Sequence, residues 1–189
     1  MASFVKNPLS RFLISGLVLF ICWLVLYELW LHPEGKLDRI VIDHLAVVTS
    51  FVLKSMGYSM IADFPQEEEV RTLGIDGTHG VWIGAECNGL DLLALFIGFI
   101  IAYPGLLKRK LIYIPIGMLL IHVLNIIRIT ALCMITYHAP EYLDFNHTYT
   151  FTFLVYGFVF WLWYLWTIKF SGILFSQKKD STDTRHALS

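Results

Sequence analysis

Charge is scarce in this sequence. Only 15% of its 189 residues are Asp, Glu, Lys or Arg, where a soluble globule carries about 25%. That shortage, beside 57% hydrophobic residues, excludes an ordinary water-soluble domain and indicates a membrane protein. Cationic excess is missing too. The formal net charge is −1, and no basic patch points to nucleic acid. Cysteine is sparse and dispersed: Cys22, Cys87 and Cys133 form no C-x-x-C pair and have no zinc-ligand spacing. That argues against a disulfide scaffold, a redox motif and a metal site. There is no internal repeat, low-complexity tract or domain linker. One integral-membrane domain is expected over residues 1–175, followed by a polar, disordered cytoplasmic tail at 176–189.

A helix needs about 20 mostly apolar residues to cross the hydrocarbon. Residues 12–31 are such a run, broken only by Glu28. It is too long for a signal peptide and no A-x-A-like cleavage site follows, so it is expected to be a retained span. Residues 90–107 make a second span that starts with Asp91. Residues 111–137 make a third, carrying His122, Asn125 and Arg128. Residues 151–170 make a fourth, rich in Trp and Tyr, which suit a membrane interface and helix packing.

Lys6 and Arg11 precede the first span, Lys108, Arg109 and Lys110 separate the second and third, and Lys169, Lys178, Lys179 and Arg185 follow the fourth. Four spans put all three clusters on one side, the cytoplasm of a cell inner membrane. The outer side then holds residues 32–89, with "DFPQEEEVRTLGIDGTHG" at 63–80, and a short loop at 138–150. Residues 40–60 are apolar but contain Asp43 and His44. An amphipathic helix on the outer surface is favoured there, because a fifth span would put Lys6 and Arg11 outside. The expected fold is all-α: a polytopic membrane helical bundle of about four transmembrane helices, plus an outer-surface amphipathic helix or a fifth span.

Depth links three polar residues. Arg128 lies about 18 residues beyond Lys110, roughly 27 Å of helix and nearly the hydrocarbon thickness. Cys87 stands just outside the start of the second span, and His147 just before the fourth. A thiol, a guanidinium and an imidazole thus arrive at one outer boundary from three helix ends. In "GAECNGLDLL", residues 84–93, Asn88 reads as an N-cap and Asp91 as its N3 partner. Cys87 would then sit beside a helix N-terminus, which favours an anion, and the thiolate is the nucleophilic form. Glu86 and Asp91 oppose this with negative charge. The structural alternative is an inert small residue at a helix start.

Arg128 within a span is costly, about 2.5–3.5 kcal/mol at the centre on insertion scales. It either snorkels, pairs with Glu86 or Asp91, or aims a positive charge at a developing oxyanion. His122, Asn125 and Arg128 share one side of their helix. Asn125 is expected to bond another helix or orient Arg128, while His122, deeper, packs. His147 suits general acid–base work because an unperturbed imidazole titrates near the working range. His44, His79 and His138 compete for that role. Glu28 belongs at the interface or in a pair. Cys22 is expected to pack mid-span, and Cys133 is a conceivable oxidation partner for Cys87.

"CNGL" at 87–90, "NIIRI" at 125–129 and an isolated His147 before a final aromatic span resemble the exosortase/archaeosortase family. The resemblance covers about residues 84–170 and, by length, points to a compact bacterial branch such as the exosortase F type. It implies a multispan cysteine transpeptidase, with Cys87, Arg128 and His147 as the family's Cys, Arg and His and with Asn88, Asn125, Glu86 and Asp91 in support. It implies exported substrates with a C-terminal sorting tail: a short motif, a transmembrane helix and a basic end. Many members read Cys-Ser-Gly where this chain has Asn88, so no hydroxyl is available there. No metal or cofactor is implied.

The expected chemistry begins with a tail helix entering sideways from the lipid bilayer. Cys87 forms a thioester, Arg128 stabilises the oxyanion, helped by Asn125 or backbone N–H groups after Cys87, and His147 moves the proton. Water or an amine on a cell-surface acceptor completes the reaction. Two other classes stay open: a non-catalytic membrane subunit of a sorting system, and a thiol oxidoreductase pairing Cys87 with Cys133. A transporter fits less well, because the polar residues gather at one surface rather than at midplane.

Overall fold

A computed structural model describes residues 8–61 and 71–171. Lys6, the acidic stretch at 62–70, the lysines and arginine beyond 171 and the expected tail at 176–189 lie outside the described residues. Five helices carry the fold: α1 (Pro8–Leu26), α2 (Lys36–Ser55), α3 (Leu90–Ala102), α4 (Leu107–His138) and α5 (Phe151–Leu165). Among the described residues, three helical stretches are long and apolar enough to cross a membrane: Leu9–Glu34, Leu107–His138 and Pro140–Phe170. This is an all-α membrane bundle with one small addition. Strands β1 (Arg71–Leu73) and β2 (Val81–Ile83) pair antiparallel, with Thr72 opposite Trp82.

Local chemistry sets the helix ends. Leu9–Glu34 runs through a π-helical turn at Tyr27–Leu31 and stops at Gly35. The φ of 61° at Gly35 is a left-handed conformation that costs glycine least, and it turns the chain into α2. The span expected at residues 90–107 is shorter than that. Pro104 disfavours helix at the residue before it, so Tyr103 is extended (φ −70°, ψ 135°) and α3 ends at Ala102. Its 13 residues reach only about 20 Å. The expected loop at 138–150 is also revised. Pro140 breaks the chain only at Ala139 and starts a new helical stretch through Leu143–Phe145 and a π-helical turn at Asn146–Thr150 into α5.

Helix α4, at 32 residues, is about 48 Å long. It therefore serves two cores. Along its first half, Phe96 and Ile100 of α3 pack with Tyr113, Ile121, Val159, Leu162 and Trp166. Gly117 makes room for this: a Cβ there would collide with the Phe96 ring. The basic turn ties the helix ends together, with Lys110 Nζ donating to the Ile101 carbonyl at 2.8 Å and Arg109 to that of Phe170 at 3.2 Å. Along its second half, Ile129, Leu132 and Cys133 pack against α2 and the hairpin. The stripe Asp38, Ile42, Leu45, Thr49 and Leu53 is the buried face of α2, at the spacing of one helical side. Helix α1 packs along α3 but leaves most of itself exposed, with 6% of its span buried against 33% for that of α4.

Candidate active site

Strand β2 delivers the chain into a 3₁₀ turn, Ala85–Cys87, that precedes α3. Cys87 N–H donates to the Gly84 carbonyl at 2.9 Å and Asn88 N–H to that of Ala85 at 3.3 Å. Of the backbone donors after Cys87, that of Asn88 is thus bonded within the turn. Gly89 then takes φ 83° and lets α3 begin. A Cβ there would also press on Asn125, 3.2 Å from Nδ2, so glycine fits both the turn and the close approach.

Asn88 is not the N-cap expected: Gly89 takes that position, and Asn88 stands one residue before it. Its Oδ1 accepts the Leu90 N–H at 2.8 Å, with Gly89 as the half-in residue. Asp91 is not the reciprocal capping partner. It accepts a hydrogen bond from Trp23 Nε1 of α1 at 3.2 Å. Asn125 donates from Nδ2 to the Cys87 carbonyl at 2.9 Å, so it holds the Cys87 turn rather than Arg128. For Glu86 the turn backbone is described, while its side chain lies outside the described residues.

Three elements bring Cys87, Arg128 and His147 together. His147 sits in the π-helical turn that leads into α5, a local distortion that is frequent at functional sites. Its Nε2 lies 3.6 Å from Cys87 Sγ and 3.5 Å from Arg128 Nη2. Two donors thus approach one ring nitrogen. The tautomer that satisfies both carries its proton on Nδ1 and leaves Nε2 as the acceptor. All three side chains are partly buried. Arg128 Nε and Asn125 Oδ1 are buried without a hydrogen-bond partner among the described residues, a state that costs about 1–3 kcal/mol per group when left unsatisfied.

The other histidines lie elsewhere. His44 and His122 face each other at 3.1 Å, His138 bonds the Tyr58 hydroxyl at 3.0 Å, and His79 is exposed in the hairpin turn. Cys133 is fully buried with its thiol on the Leu73 carbonyl at 3.7 Å. It is a core residue, and all three cysteines are free. Cys22 is exposed on α1, contrary to the expectation that it packs, because α1 buries so little of itself. Glu28 lines a cavity of about 420 Å³ between α1 and α3, together with Gly16, Trp23, Asp91 and Gly98. Among the described residues no group of three or more His, Cys, Asp or Glu side chains is placed to hold a metal ion.

One residue escaped the sequence reasoning. Asp38 is fully buried, and its Oδ1 accepts from the Tyr27 hydroxyl at 2.8 Å and from Asn88 Nδ2. The available signal was periodicity. Starting the α2 pattern at Asp38, not residue 40, places this acid on the same stripe as Ile42 and Leu45, and a buried acid needs partners.

Residues 7–169 match the model of the transmembrane exosortase family, Exosortase_EpsH. Archaeosortase A of Haloferax volcanii is 31% identical over 101 residues, a stretch that is 52% of this chain and 32% of that protein. The chain thus spans about a third of the length of this curated relative. No solved structure matches. With the family match covering nearly the whole described bundle, the chain belongs to the transmembrane exosortase family.

Proposed function

We propose that this protein is a membrane-embedded cysteine peptidase or transpeptidase that removes C-terminal sorting tails from exported proteins. Its site would face the extracytoplasmic side of the cytoplasmic membrane, opposite the basic turn Lys108, Arg109 and Lys110. The observation that carries this is the shared position of His147 Nε2, 3.6 Å from the Cys87 sulfur and 3.5 Å from the Arg128 guanidinium. Family membership supports the substrate class.

The chemistry runs in two halves. His147 Nε2 accepts the thiol proton as Cys87 Sγ bonds to the scissile carbonyl carbon. The carbonyl oxygen gains the negative charge and is met by Arg128, a cation held in a poorly hydrated place where its field is strong. As the oxyanion collapses, the peptide C–N bond breaks and His147 returns its proton to the departing amine. The substrate body is then a thioester on Cys87, while the tail stays in the bilayer. Water or an acceptor amine attacks that thioester, His147 takes the new proton, and the proton ends on the Cys87 sulfur. The unpartnered Asn125 Oδ1 is suited to accept a substrate N–H. Lateral entry would pass α1, the least buried helix, beside the cavity between α1 and α3.

The test is co-expression of this protein, or its Cys87→Ala form, with a protein bearing a C-terminal motif, apolar helix and basic end. Mass spectrometry of the substrate C-terminus should show a shortened product with the wild type alone. Equal processing by both forms refutes the peptidase assignment and leaves a non-catalytic membrane subunit.

A further inference from the structure

The Cys87 sulfur sits on a three-residue 3₁₀ turn between a short hairpin and a left-handed glycine. Such a turn has little rigidity of its own, so something else must fix the direction of the Cys87 side chain. From one side Asn125 holds the Cys87 carbonyl. From the other, the next residue, Asn88, is 3% exposed and gripped at both ends of its amide. Its Oδ1 takes the Leu90 N–H, and its Nδ2 donates to Asp38 Oδ1.

We infer that Asp38 is a positioning residue for the Cys87 nucleophile, acting through the Asn88 side chain. Asp38 stands in the first turn of α2, fully buried. Its Oδ1 also takes the Tyr27 hydroxyl, and its Oδ2 lies 3.4 Å from His32 Nδ1. The carboxyl group is therefore fixed by α1 and α2 together and passes that fixity to Asn88. Asn88 is bonded covalently to Cys87, so a rotated Asn88 swings the sulfur away from His147 Nε2. A displacement of about 1 Å at a reacting atom costs on the order of 10²-fold in rate. The first expectation below rests on Cys87 being the nucleophile of a peptidase, while the second does not.

Two readouts separate the claims. In the tail-processing assay, Asp38→Ala should lower kcat by about 10- to 100-fold with KM within about twofold. Asp38→Asn keeps the acceptor oxygen for Asn88 and should recover most of the rate. The second readout needs no substrate. Membranes are treated with iodoacetamide and the Cys87 peptide is followed by mass spectrometry, with exposed Cys22 as internal reference. Asp38→Ala should slow Cys87 alkylation at least about fivefold, leave Cys22 unchanged and be rescued by Asp38→Asn. Thr49→Val, on the same buried stripe but with a hydroxyl that has no partner among the described residues, should leave Cys87 alkylation as in wild type. If Asp38→Ala does not accumulate, Asn88→Ala cuts the same link and leaves Asp38 its Tyr27 donor. It should slow Cys87 alkylation equally. Unchanged Cys87 alkylation in the Asp38 variant, or in the Asn88 variant that replaces it, overturns the inference. Tyr27→Phe removes one donor that fixes Asp38 and should slow Cys87 alkylation less than Asp38→Ala does. Slowed alkylation combined with tail processing that survives Cys87→Ala supports the positioning role and refutes the peptidase reading.

Discussion

Among the described residues, the core at the basic end of α4 mixes three aromatic with four aliphatic buried side chains, while the core at the site end is largely aliphatic. At the basic end, Phe96, Tyr113 and Trp166 are fully or nearly fully buried and tilt against one another, and the Tyr113 hydroxyl donates to the Leu162 carbonyl at 2.7 Å. At the site end, Ile42, Leu45, Leu53, Ile83, Ile129 and Leu132 enclose Cys133. Within lipid, burial between helices gains little from the hydrophobic effect, so shape and internal hydrogen bonds must hold the contact. Beyond the lipid, where water is the competitor, aliphatic burial suffices and a small hairpin can join. Cys87 packs against the edge of the aliphatic core. Cys87 and its neighbours thus border the aliphatic core, not the mixed one.

Several substitutions would break or sharpen that contrast. The largest effect is expected from Cys87→Ala, which should reduce tail processing by about 10³-fold or more with unchanged membrane abundance. Next is Arg128→Gln, with a loss of about 10²–10³ in kcat. Arg128→Lys should recover only part, since it keeps the charge and loses the planar fork. A steady-state comparison of the three variants checks the order. Within the site-end core, Leu45→Ala should cost about 2–5 kcal/mol in detergent-solubilised unfolding, from lost transfer and a cavity. At the basic end, Leu162→Ala should cost less by about 1.5 kcal/mol or more, the share owed to transfer from water. Equal costs would contradict the two-solvent picture. The smallest change is expected for Trp23→Phe, which removes an exposed hydrogen bond to Asp91 and should shift stability by under about 1 kcal/mol.

The helical membrane bundle was legible in the sequence because long apolar runs have few alternatives. The meeting of Cys87, Arg128 and His147 was legible as a matter of depth: helix rise per residue converts position along a span into height. What depth could not give was rotation. It did not show that Asn125 turns to Cys87, or that Asp91 turns to Trp23. The length of α3 was misjudged because the apolar pattern continues past Ala102 while Pro104 ends the helix. The loop expected around His147 proved helical, since Pro140 starts a helix as readily as it ends one. Asp38 was missed because its partners Tyr27 and Asn88 lie 11 and 50 residues away, and only the fold brings them together.

The central claim is that Cys87 forms a covalent bond to its substrate, and the most direct measurement is capture of that bond. Wild type and His147→Ala are mixed with a tail-bearing substrate, quenched in acid, and the Cys87 peptide is weighed. Acid quenching of the wild type during turnover should catch the substrate's truncated body on Cys87 as a hydroxylamine-sensitive thioester, and His147→Ala, which lacks the base that forms it, should show far less. An unmodified Cys87 peptide in every sample, together with tail cleavage that survives Cys87→Ala, would contradict the account.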